Sequence, residues 1–409
     1  MTKIALLSDI HFGKYSRTND FTVPGELMIS HSHGEKSLKC ELISKLKEEQ
    51  VEYIIITGDL TSIGSPSEFI HCKSAIKEIA NSVGVKSEKV IICLGNHDID
   101  WNISKLSANY TNSTREIQNE ATDNYLAVAG SVANHWLLEM DNYDEKGPAP
   151  YSGVIEFDGI VFFALNSGWL CSEKDAVKQG KLDSLQLEWI STKFSNYKKS
   201  KKWKILILHH HPFNYPYAKP SPDHSVLMEG PELKDLIGNY GINIVCHGHR
   251  HHPRVKNEME NGWLNPITFI SSGSLSVNLE HRHEEIPNLF HIIELDHDKS
   301  FYLRSYKFSS LNGWVKVTDN NKHTPIDFEM FFQKPIQDSE LITSIEDICR
   351  MSKGENQKEL MAWKDLPNDL KSIRIEKLNS LLKEYCKREK VKCFGRYPDG
   401  EVVLINKNL

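Results

Sequence analysis

Short apolar runs recur along the chain: KIALLS, YIIITG, KVIICLG, GVIEF, IVFFALN, KILILH, INIVCHG, ITFISSG and FHIIEL. Many lack a polar face, as expected of strands covered on both sides. Helical patterns stand between them. In SPSEFIHCKSAIKEIANSV, Ser65 predicts an N-cap, Pro66 the first helical position and Glu68 the reciprocal member of a capping box. Phe69, Ile76, Ile79 and Val83 then fall on one stripe. DSLQLEWISTKF predicts a second helix before ILILHHHPF. The alternation predicts an α/β fold with sheets covered by helices.

The polar residues collect where these strands end. Asp9 and His11 follow the first strand, Asp59 the second, and Asn96, His97 and Asp98 the third. Three histidines, His209 to His211, end one later strand, and His247, His249 and His251 accompany another. In α/β folds the crevice beyond the carboxyl ends of the strands is the usual ligand site. One site assembled from distant stretches is therefore expected.

Composition narrows the classes. The 409 residues are 39% hydrophobic and 25% charged, with a formal charge of -6, which describes a globular protein and gives no global argument for nucleic acid or membrane. No stretch resembles a signal peptide or a membrane span. Eight cysteines without CxxC spacing favour free thiols in a reducing cytoplasm. The region 98–152 is less regular and is expected to lie over or beside the site. A boundary is expected near residue 335: residues 1–334 form the catalytic domain, and 335–409 a helical and small-β extension of unread role. In the extension EKLNSLLKEYCKREK reads as an amphipathic helix and CFGRYPDGEVVLIN as a hairpin.

Taken together, SDIHFG (8–13), TGDLT (57–61), LGNHD (94–98), HHHP (209–212) and HGHRH (247–251) resemble the five signature blocks of the calcineurin-like metallophosphoesterase superfamily. The resemblance covers roughly residues 1–310. It implies two packed mixed β-sheets flanked by helices, an α-β-β-α sandwich, and a dinuclear phosphoester hydrolase using a metal-activated hydroxide. Carboxylates, imidazoles and an amide suit two divalent ions such as manganese, iron or zinc. By resemblance Asp59 bridges both metals, Asp9, His11 and His251 complete the first, and Asn96, His210 and His249 the second.

The family's ligand stands two residues before the proline, which selects His210, with a one-residue shift to His209 as the nearest alternative. His209 and His211 are then packed or hydrogen-bonded histidines, since neighbouring strand side chains point to opposite faces. His97 would serve as general acid to the leaving oxygen. Asp98 is expected to take part in catalysis by orienting His97 and raising its basicity, with capping of nearby amides as the alternative. Gly95 is expected to give the backbone freedom for the turn that turns Asn96 and His97 to the site. His31 and His33 could reach the pocket from a long loop; the remaining histidines read as surface or packed.

GDLTSIGSPSEF, FFALNSG and GKLDSLQLEWISTKF also resemble bacterial cyclic-nucleotide-type phosphodiesterases. A small nucleotide-type diester is the expected substrate. A nuclease, a phosphomonoesterase and a catalytically silent scaffold are the alternatives.

Overall fold

The computed structural model describes residues 1–25, 36–100, 152–171, 179–213, 226–281, 283–297, 299–318 and 324–332, with residues 343, 359–362, 381, 392–396 and 401–405. The expected insert, the loop carrying His31 and His33, and the amphipathic helix expected in the extension lie outside the described residues.

The first of two compact units comprises Met1–Glu294 and Arg304–Phe328. Its leading half alternates strand and helix: β1 (Thr2–Leu7), α1 (Leu38–Glu49), β2 (Tyr53–Ile56), α2 (Pro66–Val83) and β3 (Val90–Ile92). β1, β2 and β3 pair in parallel, so their carboxyl ends share one edge. With β10 (Leu289–Leu295), β11 (Phe301–Ser309) and β12 (Gly313–Lys316) they form a sheet in the order β12-β11-β10-β1-β2-β3.

A second mixed sheet runs β4-β5-β6-β7-β9-β8. Its strands are β4 (Gly153–Phe157), β5 (Ile160–Ala164), β6 (Trp203–Ile207), β7 (Ile244–His247), β8 (Pro253–Glu258) and β9 (Ile267–Ser272). Helices α3 (Ser184–Asn196) and α4 (Gly230–Tyr240) accompany it.

Alternation along the second sheet explains the layers. Val161, Phe163, Leu206, Val245 and Phe269 cluster with Ile190 and Phe194 of α3 and with Leu233 and Ile237 of α4. Phe162 points the other way and meets Tyr53 of the first sheet, ring centroids 5.7 Å apart. Both faces are therefore buried, and the strands read as unbroken apolar runs. The fold is the expected sandwich of two mixed sheets with helices outside.

Both sequence-read helices are present. The Ser65 hydroxyl accepts from the amide of Glu68, whose carboxylate accepts from the amide of Ser65 at 3.2 Å. Asp183 and Gln186 close the equivalent box on α3. Phe69, Ile76 and Ile79 are buried, Val83 at the last turn is half-buried, and Gly84 ends α2 at φ 84°.

The second unit comprises Leu295–Leu303 and Glu329–Leu409. In it β13 (Glu329–Phe332) pairs with β11, and Phe301 stacks on Phe332 at 4.8 Å. It also contains a three-stranded sheet, β14 (Glu359–Ala362), β16 (Glu401–Ile405) and β15 (Lys392–Arg396), in that spatial order. β15 and β16 pair antiparallel, as the hairpin pattern around PDG predicts.

Candidate metal centre

Each sequence motif sits on the loop that leaves the carboxyl end of a parallel strand: Asp9 and His11 after β1, Asp59 after β2, Asn96 after β3, His209 after β6, and His249 and His251 after β7. The loops are stitched together by backbone hydrogen bonds. Asp9 N donates to Gly58 O at 3.1 Å, and His11 N to Asp59 O at 2.9 Å. The His249 amide donates to the Asp9 carboxylate at 3.1 Å.

The backbone there is unusual. Asp9, His11, Asp59, His249 and His251 have φ of 50°, 49°, 50°, 76° and 55°, and they are five of the seven non-glycine residues with positive φ among the described residues. Side chains with a Cβ avoid this region unless the surroundings enforce it, and such residues cluster at functional sites.

Two groups of donor atoms result. Asp9, His11, Asp59 and His251 form one, and Asp59, His209 and His249 the other, each with its donor atoms within 4.8 Å of one another. Asp59 belongs to both. A single oxygen, Oδ2, lies 3.4 Å from His11 Nε2 and 3.2 Å from His209 Nε2. His251 Nε2 is 3.2 Å from Asp9 Oδ1 and 3.2 Å from His11 Nε2. Asn96 Oδ1 stands 3.2 Å from His209 Nε2, which adds an amide oxygen to the second group.

The tautomers follow from the outer contacts. His209 Nδ1 meets the carbonyl of Thr57 at 2.7 Å, and His251 Nδ1 that of His281 at 2.7 Å. A carbonyl only accepts, so both Nδ1 atoms carry a proton, and each ring in its neutral form turns an Nε2 lone pair inward. Carboxylate oxygens and imidazole lone pairs aimed at common points repel one another unless a cation lies between them. The donor set, oxygen and imidazole nitrogen without thiolate, fits a divalent metal such as manganese, iron or zinc.

The charges couple these groups: until a cation displaces it, a proton lies between His209 Nε2 and Asp59 Oδ2. Burial alone would raise Asp59, yet the neighbouring imidazoles His209, His97 and His11 hold it well below the usual carboxylate range. His209 is driven down by burial but carried up to about 9 by the charge and hydrogen bond of Asp59. Desolvation, then the neighbouring His210 and His209, hold the half-buried His249 well below the ordinary imidazole value.

Three sequence expectations change. First, His209 rather than His210 brings its ring to Asp59. Leu206 and Leu208 join the helix-facing cluster, so His209 continues the opposite face of the strand. His210 turns aside: its Nδ1 lies 2.9 Å from Ser167 Oγ and its Nε2 3.8 Å from Cys171 Sγ. Second, Asp98 does not orient His97. Its carboxylate accepts from the amides of Gly95 and Thr61 and from the Thr61 hydroxyl, at 3.0, 2.9 and 3.0 Å. Burial and the charge of Asp59 push Asp98 up to about 7 against those bonds. The group that holds His97 is the carbonyl of Ser62, 2.8 Å from Nδ1. Third, Gly95 is extended, φ -100° and ψ 173°. Glycine is required there for space, since a Cβ would collide with the amide nitrogen and Oδ1 of Asp59.

The sequence model of the calcineurin-like phosphoesterases matches residues 2–253. The chain belongs to that family. The two donor groups sharing Asp59 fit the two divalent metals that the family implies. No curated protein matches the sequence. Among solved structures, the chain is similar to a dimetal phosphatase from Danio rerio, at 11% identity and a TM-score of 0.46, over 78% of this chain and 98% of that one. It is also similar to the purple acid phosphatase PPD1 of yellow lupin, at 14% identity and a TM-score of 0.44, over 77% of this chain and 52% of that one. Among the described residues no helix is long and apolar enough to cross a membrane. Cys40, Cys72, Cys93, Cys171 and Cys246 are free thiols.

Proposed function

We propose that the protein is a metal-dependent phosphodiesterase acting on a small nucleotide-type ester. The observation that carries the reading is Asp59 Oδ2, standing within 3.4 Å of imidazole nitrogens from both donor groups. Asp9, His11, Asp59 and His251 would hold one divalent ion; Asp59, Asn96, His209 and His249 would hold the other. Bound there, the pair supplies Lewis acidity to the phosphoryl oxygens and a nucleophile at neutral pH.

The protein's own residues do the rest. The half-buried His97 ring lies 4.7 Å from that of His11, and its amide donates to Asp59 Oδ1 at 2.9 Å. With Nδ1 tied to Ser62, the transferable proton of the imidazolium resides on Nε2, and His97 delivers it to the leaving oxygen. Asp98 positions the loop by joining the Gly95 and Thr61 amides.

The preference for a diester rests on the stretches that resemble cyclic-nucleotide-type phosphodiesterases, and each supports the site. Ser167 of FFALNSG receives the amides of His209 and His210, at 3.3 and 3.1 Å. Gln186 of the GKLDSLQLEWISTKF stretch donates to the carbonyl of Asn166 at 2.9 Å. Thr61 and Ser62 of GDLTSIGSPSEF hold Asp98 and His97.

The test is hydrolysis of bis-p-nitrophenyl phosphate against p-nitrophenyl phosphate, after chelation and reloading with manganese. The expected result is a kcat/KM at least about tenfold higher for the diester. Faster monoester turnover would replace the reading with a phosphatase. Cleavage of single-stranded DNA without cleavage of small diesters would replace it with a nuclease.

A further inference from the structure

We propose that Tyr15 and His281 form an aromatic subsite beside the metal centre that stacks the base of a nucleotide ester. The inference rests on the site assignment above and names what that site receives. Depth marks the open side of the centre. Asp9, His11, Asp59, Asn96 and His209 are buried, whereas His97, His249 and His251 are half-buried and form the rim.

Tyr15 stands at that rim, four residues beyond His11. Its half-buried ring is edge-on to His97, centroids 5.8 Å apart at 86°, and 6.1 Å from His11. The exposed His281 ring is 4.0 Å from that of Tyr15, tilted by 54°. Neither residue belongs to a donor group.

Both are nevertheless fixed to the centre by backbone. The Tyr15 amide donates to Ser62 Oγ at 3.1 Å, in the residue whose carbonyl holds His97. The Tyr15 carbonyl accepts from the Asn278 amide at 2.9 Å, three residues before His281. The His281 carbonyl is the one that receives Nδ1 of His251. A ligand whose phosphoryl group sat on the metals with its ester oxygen toward His97 would carry its organic group past these two rings. What they offer is flat aromatic surface, which a polyol such as glycerol cannot use and a nucleobase can. Ile63, next to Ser62 and 41% exposed, adds an apolar neighbour. Lys14 Nζ, 4.9 Å from the Tyr15 centroid, adds positive charge.

The experiment is equilibrium binding by calorimetry to the full-length, manganese-loaded protein, with AMP, ribose 5-phosphate and inorganic phosphate as probes. AMP should bind about tenfold more tightly than ribose 5-phosphate, the scale of one aromatic stacking contact. Tyr15→Leu and His281→Ala should each bring the two affinities together, while Tyr15→Phe keeps them apart. Inorganic phosphate should bind all four proteins alike. Equal affinities in the unaltered protein would overturn the proposal, as would a preference for AMP surviving both ring removals. His281→Ala, at an exposed position, decides the matter should Tyr15→Leu fail to fold. A ring-dependent preference for AMP in a protein that cleaves no diester would strike the diesterase reading alone.

Discussion

At the scale of single residues, Asp59 concentrates the chemistry, because one oxygen faces imidazoles of both donor groups. Asp59→Asn should therefore lower metal content at both positions, since a neutral amide is a poor bridge between cations. Elemental analysis showing two ions retained would refute the shared-oxygen geometry. His209 and His210 make a sharper pair. His209→Ala should lose one ion and most activity, while His210→Ala should keep both, because His209 Nε2 meets Asp59 Oδ2 whereas His210 Nδ1 meets Ser167 Oγ. The reverse pattern would restore the assignment read from spacing alone. His97→Ala should retain two ions and slow turnover by about 10² or more, the scale of one general acid. Motif spacing points to His210 and leaves His209 as the neighbouring alternative, because alternation tells that neighbours diverge but not which face looks inward. That face is set by Leu206 and Leu208 packing under α3 and α4, a tertiary fact. Asp98 was ambiguous for a similar reason: a carboxylate beside a histidine in sequence can spend its oxygens on amides a strand away.

At the scale of elements, the α2 capping box ties a helix start to the loop that holds His97. Glu68 is buried, and its Oε2 also accepts from the Ile63 amide at 3.0 Å. Ser65→Ala should cost about 1 kcal/mol in a urea titration, the usual value of an N-cap. A loss near zero would mean the cap is satisfied otherwise. Such local chemistry was legible from sequence, as were the strands buried on both faces, whose apolar runs need no neighbour to be recognised. β8 was not. Its sequence PRVKNE is half-exposed at the edge of its sheet, where β9 supplies all the pairing and the side chains carry little signal. The left-handed backbone at five donor residues was not placed by sequence either: Asp and His visit it more readily than most residues, but the neighbouring loops select which of them do.

At the scale of the whole molecule, stability should depend on acid through His291, buried in β10. Its Nε2 meets the carbonyl of Ser272 at 3.1 Å and its Nδ1 the hydroxyl of Ser305 at 2.9 Å. Burial pushes this imidazole down from 6.5 to about 4. Between those values the unfolded chain binds a proton that the folded chain refuses. Stability is thus full above about pH 6.5 and falls as the medium becomes more acidic, by about 1.4 kcal/mol per pH unit for this one proton. Gln in its place can donate to Ser272 and accept from Ser305 without titrating. Urea titrations from pH 7 to pH 4.5 should show a shallower slope for His291→Gln; identical slopes would remove His291 from the account. Histidines elsewhere contribute to both proteins and cancel in the comparison.

The loops that carry Asp9, His11, Asp59 and Asn96 leave one sheet, and those that carry His209, His249 and His251 leave the other. A folding intermediate with only one sheet formed lacks at least one donor for each ion. Capture of the cations thus reports that the two layers have closed on each other, and once held they act as a clasp along that seam. Stripping them should loosen the junction between layers before it frays any strand.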